Sequence, residues 1–118
     1  LKSTLEQTTT PIEKTEFSAY DNAEFKEKLD ALGRKQIVLA GIETHICMYQ
    51  TAVQLEEEGF DVQIASDAVS SRSRANHESA LRGLATRNIQ ETNVETMLYQ
   101  LMRHSRDPAF KEILSIIK

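Results

Sequence analysis

Residues 36–40 read Gln-Ile-Val-Leu-Ala, a short run of mostly apolar residues without the polar–apolar alternation of a half-exposed strand. Such a run is typical of a β-strand that is covered on both faces, as in a parallel sheet. A second run of this kind is Val62–Ala65, and a weaker one is Asn88–Gln90. Helical periodicity separates the runs. Strand–helix alternation with short connections predicts right-handed βαβ units on one parallel sheet.

The predicted helices are amphipathic and are bounded by capping residues. Asp21 or Asn22 begins the first helix and Gly33 ends it. Thr44 is expected to cap the helix after the first strand, and the spacing of Thr92 and Glu95 indicates a capping box. The five helices are expected at about residues 21–33, 44–58, 75–87, 92–102 and 110–117, and residues 66–74 are expected as a polar loop.

The chain of 118 residues is predicted to be a single α/β domain. The expected architecture has three layers, α/β/α, with a mainly parallel sheet and helices on both faces. Residues 1–13 carry no periodicity and are expected to be a poorly ordered lead-in. The run 36–40 has the composition of a central strand, yet few strands are available to flank it. It is therefore expected either to be an exposed apolar edge or to be covered by an upstream segment or a partner chain.

The net charge and the cysteine content limit the classes of partner and the compartment that we expect for this chain. The net charge is −4, which argues against nucleic acid or an anionic membrane as the main partner. No apolar run approaches the length of about 20 residues that spans a bilayer. The single cysteine, Cys47, is typical of a reducing setting, so we expect a cytoplasmic protein. No phosphate-binding glycine motif supports a nucleotide, and we expect no cofactor.

Cys47 lies just after the predicted strand 36–40, in the first turn of the next helix. Ligands bind at this end of the strands in open α/β sheets. Backbone N–H groups at a helix start favour the thiolate and can stabilise an oxyanion. On local physics alone, a buried cysteine that acts as a small apolar side chain is the favoured interpretation, because Cys47 also falls on the apolar face of the helix.

The stretch Gly41-Ile42-Glu43-Thr44-His45-Ile46-Cys47 resembles the nucleophile motif of the isochorismatase-like cysteine hydrolases. Three further segments are similar to that superfamily in the same order along the chain. They are the lysine segment Glu13–Ser18, the strand end Ala65–Ala68 with its following Ser-Ser-Arg-Ser, and the helix start Thr92–Glu95. The closing segment Asp107–Ile113 resembles the isochorismatase-domain-containing proteins of animals and bacteria.

The resemblance implies a catalytic triad of aspartate, lysine and cysteine. Cys47 matches the nucleophile and Lys14 matches the lysine. The aspartate belongs to the end of a family strand that precedes everything in this sequence, so an N-terminal part is expected to lie upstream of Leu1. Loss of a general base typically costs a factor of about 10² to 10⁴ in rate.

The resemblance also implies a cis peptide bond between Ile42 and Glu43. The backbone N–H groups of Glu43 and Cys47 would then form the oxyanion hole. Glu43 and Thr44, as parts of the nucleophile motif, are counted among the catalytic candidates. The substrate-binding candidates are Phe17, Ser18, Tyr20 and Ile42, for the first three of which simple packing of a loop on the sheet is equally consistent with the sequence.

Other polar residues point to structural roles. Asp67 is expected to cap or brace its loop, and Arg72 and Arg74 to form surface ion pairs rather than bind an acidic substrate. His45 is interpreted as a loop residue, and the two remaining histidines, His77 and His104, as solvated helix residues. The histidines lie far apart in the sequence, so we predict no metal site.

Two functions of different kinds therefore remain. The first is a hydrolase that attacks a small amide or a related substrate through Cys47, in a homo-oligomer; hydrolysis of an enol ether lies within the same family. The second is a catalytically inactive member that serves as an oligomeric binding or scaffold protein. A thiol redox sensor that uses Cys47 is a third possibility.

Overall fold

The computed structural model describes residues 2–118, and Leu1, the first residue of the predicted lead-in, lies outside the described residues. The lead-in contains one helical turn, α1 (Lys2–Leu5). The other helices are α2 (Ala23–Leu32), α3 (Tyr49–Glu57), α4 (Arg74–Ala85), α5 (Val94–Met102) and α6 (Phe110–Ile117). The strands are β1 (Gln36–Ile42), β2 (Asp61–Ser70) and β3 (Ile89–Thr92), and a 3₁₀ turn covers Ala19–Asp21.

The three strands form one parallel sheet in the order β1-β2-β3. Gln36 pairs with Asp61 at the start of β1, and Val62 pairs with Ile89. Helices cover both sides of this sheet, with α3 and α4 on one face and α5 on the other. The fold is therefore the three-layer α/β arrangement that the sequence predicts.

The core lies between the sheet and the layer formed by α3 and α4. It is built from apolar residues that the 3.6-residue period of the helices and the two-residue period of β2 direct inward. Its fully buried members include Leu55, Val62, Ile64 and Leu84. Tyr20 joins them from the 3₁₀ turn, where its ring makes an edge-to-face contact with Phe60 at 5.9 Å between centroids.

β1 is the strand with the least cover. In the described part of the chain it pairs with β2 alone, so its other edge is free. Residues along β1 alternate between exposed and half-buried, and Val38 is 41% and Ile42 is 71% exposed. Within residues 2–118, β1 is thus an exposed apolar edge, one of the alternatives that the sequence leaves open, and the prediction that both its faces are covered is wrong.

β2 is longer than predicted. Residues 66–70, expected as loop, continue the strand to Ser70, because Val69 is buried and pairs with Gly41 of β1. The register shifts between Leu39 and Gly41, so the β2 residues between Ile64 and Val69 bulge out of the ladder with β1. The polar residues of this bulge hide the strand from a pattern-based prediction.

The helix ends follow capping chemistry, with two corrections. Asn22 accepts the N–H of Phe25, and Gly33 ends α2 with a φ of 63°, as predicted. Thr92 belongs to β3, and Asn93 caps α5 by accepting the N–H of Thr96 at 2.7 Å. Thr44 does not cap its helix either, because Glu43 occupies that position and the Thr44 hydroxyl is bonded elsewhere.

Candidate active site

Cys47 lies in a single π-helical turn, Thr44–Met48, between the carboxyl end of β1 and the start of α3. The Glu43 carbonyl accepts the N–H groups of Ile46 and Met48, at 3.1 and 3.2 Å, which closes the turn. The Cys47 thiol is half-buried. The only cysteine of the sequence therefore stands at the strand end where parallel sheets place their ligands, and it is not sealed in the core.

The backbone just before this turn is unusual. The Ile42–Glu43 peptide is cis, as the resemblance predicts. Gly41 has a φ of 133°, a conformation that residues with a Cβ rarely adopt. An added Cβ at Gly41 would lie 3.5 Å from the Met48 sulfur, an ordinary contact, so the glycine is required by the backbone rather than by space.

Lys14 is held by its own segment. Its ammonium group donates hydrogen bonds to the carbonyls of Glu16 at 2.7 Å and Phe17 at 3.2 Å. The carboxylate of Glu16 accepts from its own segment's backbone and from Asn22, and these hydrogen bonds hold the pKa of Glu16 below its ordinary value. The segment is thus a compact loop that orders the lysine side chain.

This lysine segment docks on α3 close to Cys47. The Ala19 N–H donates to the hydroxyl of Thr51 at 2.9 Å, and the Ser18 hydroxyl donates to Gln54. Thr51 follows Cys47 by four residues, which is about one helical turn. The docking point of the lysine segment is therefore within one turn of the thiol.

The four substrate-binding candidates lie in different environments. Phe17 is 62% exposed and Ile42, at the end of β1, is 71% exposed, so both side chains are accessible. Ser18 and Tyr20 are buried. The Tyr20 hydroxyl donates a hydrogen bond to Asp30. Burial of the hydroxyl is the main cause, and this hydrogen bond the second, that raises the pKa of Tyr20. Their role in binding a substrate stays a prediction.

Two of the catalytic candidates are tied to the segment that follows β2. The carboxylate of Glu43 accepts the backbone N–H of Arg72 at 2.9 Å, and the Arg72 guanidinium lies 3.9 Å from the same oxygen. The hydroxyl of Thr44 is hydrogen-bonded to the ring of His77 at 2.8 Å. The interpretation of His77 as a solvated helix residue is therefore wrong, while the expected ion pair of Arg72 is confirmed.

Sequence reasoning missed these partners of Glu43 and of the turn Thr44–Met48. His45 is likewise bonded to Ser71, at 2.9 Å, and is more than a free loop residue. One available signal was the spacing of Ser73 and His77, because the cap of α4 and a residue four positions later face the same side of the helix start. Asp67 accepts the N–H of Val94 at the start of α5, which confirms its predicted bracing role.

A cleft of about 1000 Å³ lies at the opposite end of the sheet. It is lined by the start of β1, by α5 residues such as Met97 and Leu101, and by Arg103 just after α5. None of the eight predicted site residues lines it. Within residues 2–118, no group of three histidine, cysteine or acidic side chains is arranged to hold a metal ion. The same residues include no helix long and apolar enough to cross a membrane.

Relatives of known sequence match most of the chain. The Isochorismatase domain family matches residues 1–96. Isochorismatase domain-containing protein 1 of Danio rerio is 46% identical over 86 residues, which are 73% of this chain and 30% of that protein. The secreted isochorismatase effector Isc1 of Phytophthora sojae is 41% identical over 85 residues, or 72% of this chain and 40% of the effector. The chain thus spans less than half the length of these two relatives.

Solved structures share the fold. MAR1 ribonuclease from Caenorhabditis elegans superposes with a TM-score of 0.79 at 33% identity, over 88% of this chain and 53% of that one. The YcaC protein of Escherichia coli, an octameric hydrolase of unknown specificity, gives a TM-score of 0.83 at 22% identity, over 98% of this chain and 63% of that one. The second likeness supports the fold alone. By its sequence and its fold, the chain belongs to the isochorismatase domain family.

Proposed function

We propose that this domain is part of a hydrolase that uses Cys47 as a nucleophile on a small amide or a related substrate. The observation that supports this most is the position of the only cysteine, half-exposed in a helical turn directly after a parallel strand. The docked lysine segment one turn further along α3 supports it too. In this proposal Lys14, which belongs to that segment, comes close enough to the thiol to favour the thiolate, the reactive form.

The proposed reaction has two steps. The Cys47 sulfur attacks the carbonyl carbon, an S–C bond forms, the C–N bond breaks, and the thiol proton leaves on the amine. Water then cleaves the thioester, which releases the acid and restores the thiol. The backbone N–H groups of Glu43 and Cys47 would stabilise the oxyanion, Lys14 would stabilise the negative charge, and an aspartate from outside residues 1–118 would act as base.

The test is a substrate panel analysed by product and by intact mass. It contains small planar amides, activated esters, an enol ether and, because the C. elegans neighbour is named a ribonuclease, a short RNA. Because the proposed base lies outside residues 1–118, we expect an acyl adduct on this chain with the activated esters, whose leaving group needs no proton, and no cleavage of RNA. Binding of small molecules without any adduct or product would overturn the hydrolase proposal and favour the inactive binding or scaffold protein.

We also propose that the protein forms a homo-oligomer in the cytoplasm. The exposed apolar residues of β1 support association, and the single thiol suits a reducing compartment. Light scattering should give a mass at least twice that of the 13.4-kDa chain. Val38→Lys, on the exposed face of β1, should reduce the mass, whereas Leu32→Lys, on α2 and even more exposed, should leave it unchanged. A monodisperse monomer would contradict the proposal.

A further inference from the structure

Three consecutive residues are hydrogen-bonded through their side chains to one segment, residues 71–77. They are Glu43, which precedes the turn that contains Cys47, and Thr44 and His45, the first two residues of that turn. This segment contains the connection between β2 and α4, residues 71–73, and the first turn of α4. The bonds, which we call the clamp, are Glu43 Oε1 to Arg72 N at 2.9 Å, Thr44 Oγ1 to His77 Nδ1 at 2.8 Å, and His45 Nδ1 to Ser71 Oγ at 2.9 Å.

The Thr44–His77 bond is the buried member of the clamp. Thr44 is 0% exposed, so water cannot replace the histidine as a partner of its hydroxyl. A buried polar group that loses its only partner carries the full cost of desolvation. The backbone of His77 is in turn held at the start of α4, where its N–H donates to the Ser73 carbonyl at 3.0 Å and the Ser73 hydroxyl accepts the N–H of Asn76. The ring is therefore carried on ordered backbone where it meets Thr44.

Thr44 is also the residue through which a displacement would reach the thiol. It is the first residue of the π turn, and its carbonyl accepts the N–H of Tyr49, the first residue of α3. Cys47 lies between these two points. A shift of Thr44 would consequently move the backbone of the turn that carries Cys47, and the position of a nucleophile governs its reactivity steeply.

We propose that His77 is a positioning residue for Cys47: it holds Thr44, and through Thr44 it sets the orientation of the nucleophile turn. Its importance for turnover rests on the proposed function, but its effect on the thiol does not. Nothing in this role requires His77 to touch a substrate or to transfer a proton. The clamp instead couples the βα connection after β1 to the one after β2.

The test measures the second-order rate of Cys47 alkylation by iodoacetamide in four variants of the clamp. Thr44→Val and His77→Phe should each lower the rate about five-fold, the amount that corresponds to one lost hydrogen bond. The double variant should be no slower than the slower single variant, because both changes remove the same bond. His77→Asn, whose amide can take the place of Nδ1, should keep the rate within about two-fold of the starting protein.

A matched control separates positioning from general loss of stability. Thr92→Val also removes a hydroxyl from a buried threonine, but at the end of β3 and outside the clamp, so alkylation should be unchanged. All rates are measured below the thermal midpoint of each variant. If Thr44→Val or His77→Phe fails to fold, the ¹⁵N resonances of the His77 ring in Thr44→Ser and in the starting protein report the bond, which should be present in both.

Single-variant rates within about two-fold of the starting protein, or effects that simply add in the double variant, would overturn the proposal. So would His77 ring resonances that are those of a free, solvated imidazole. Failure of the proposed function is distinguishable, because it would appear as a slow thiol in the unmodified chain, whereas the clamp is read from the ratios among variants.

Discussion

Replacing Cys47 with serine should lower the rate of acyl transfer from an activated ester or amide by a factor of about 10³ or more. The hydroxyl of serine is a far weaker nucleophile than a thiolate at neutral pH. Cys47 is the only cysteine, so no second thiol can take over. The measurement is the appearance of the acyl adduct by intact mass, followed over time.

The control for this prediction is the folded state itself. Cys47 is half-buried, so exchange of sulfur for oxygen should shift the thermal midpoint only slightly. Cys47→Ala should behave like Cys47→Ser in the acylation assay, since neither carries a thiolate. Acylation of Cys47→Ser at an undiminished rate would show that another residue reacts, and the assignment of the nucleophile would then be wrong.

Leu55→Ala should destabilise the chain by about 2–5 kcal/mol. Leu55 is 0% exposed and lies in the core with Val62, Ile64 and Leu84, so the truncation leaves a cavity between α3 and the sheet. Because small domains are stable by only about 5–15 kcal/mol, this is a large share of the total. The free energy of unfolding from urea titrations measures the effect.

Leu101→Ala is the matched comparison for the core variant. It removes the same atoms from a side chain that is 73% exposed on α5, so we expect a change below about 0.5 kcal/mol. α3 also carries the docking site of the lysine segment. Unfolding of Leu55→Ala would separate that segment from Cys47, so the alkylation of Cys47 should slow as the variant unfolds. A cost for Leu55→Ala as small as that for Leu101→Ala would contradict the described core.

The order of strands and helices could be predicted because it rests on local patterns. Apolar runs marked the strands, Gly33 and Asn22 marked the ends of α2, and the apolar face of α6 followed the helical period. β2 was predicted too short because its continuation depends on pairing with Gly41 and Ile42 of β1. Pairing between distant segments leaves no mark in the local composition of Ser66–Ser70.

The candidate site divides in the same way. The place of Cys47 just after the first strand could be predicted from the sequence, and the cis bond between Ile42 and Glu43 from the family resemblance. The role of Thr44 could not, because a threonine before a helix is normally a cap, and its actual partner, His77, lies 33 residues away. Long-range hydrogen bonds of this kind are set by the tertiary fold.

The central claim is that the helical turn and the docked lysine segment together activate the Cys47 thiol. The most direct measurement is the second-order rate of its alkylation by iodoacetamide at neutral pH, compared with that of N-acetylcysteine under the same conditions. We expect Cys47 to be alkylated faster than N-acetylcysteine, and we expect Lys14→Met to remove part of the difference between the two rates. A Cys47 rate equal to or below that of N-acetylcysteine would contradict it.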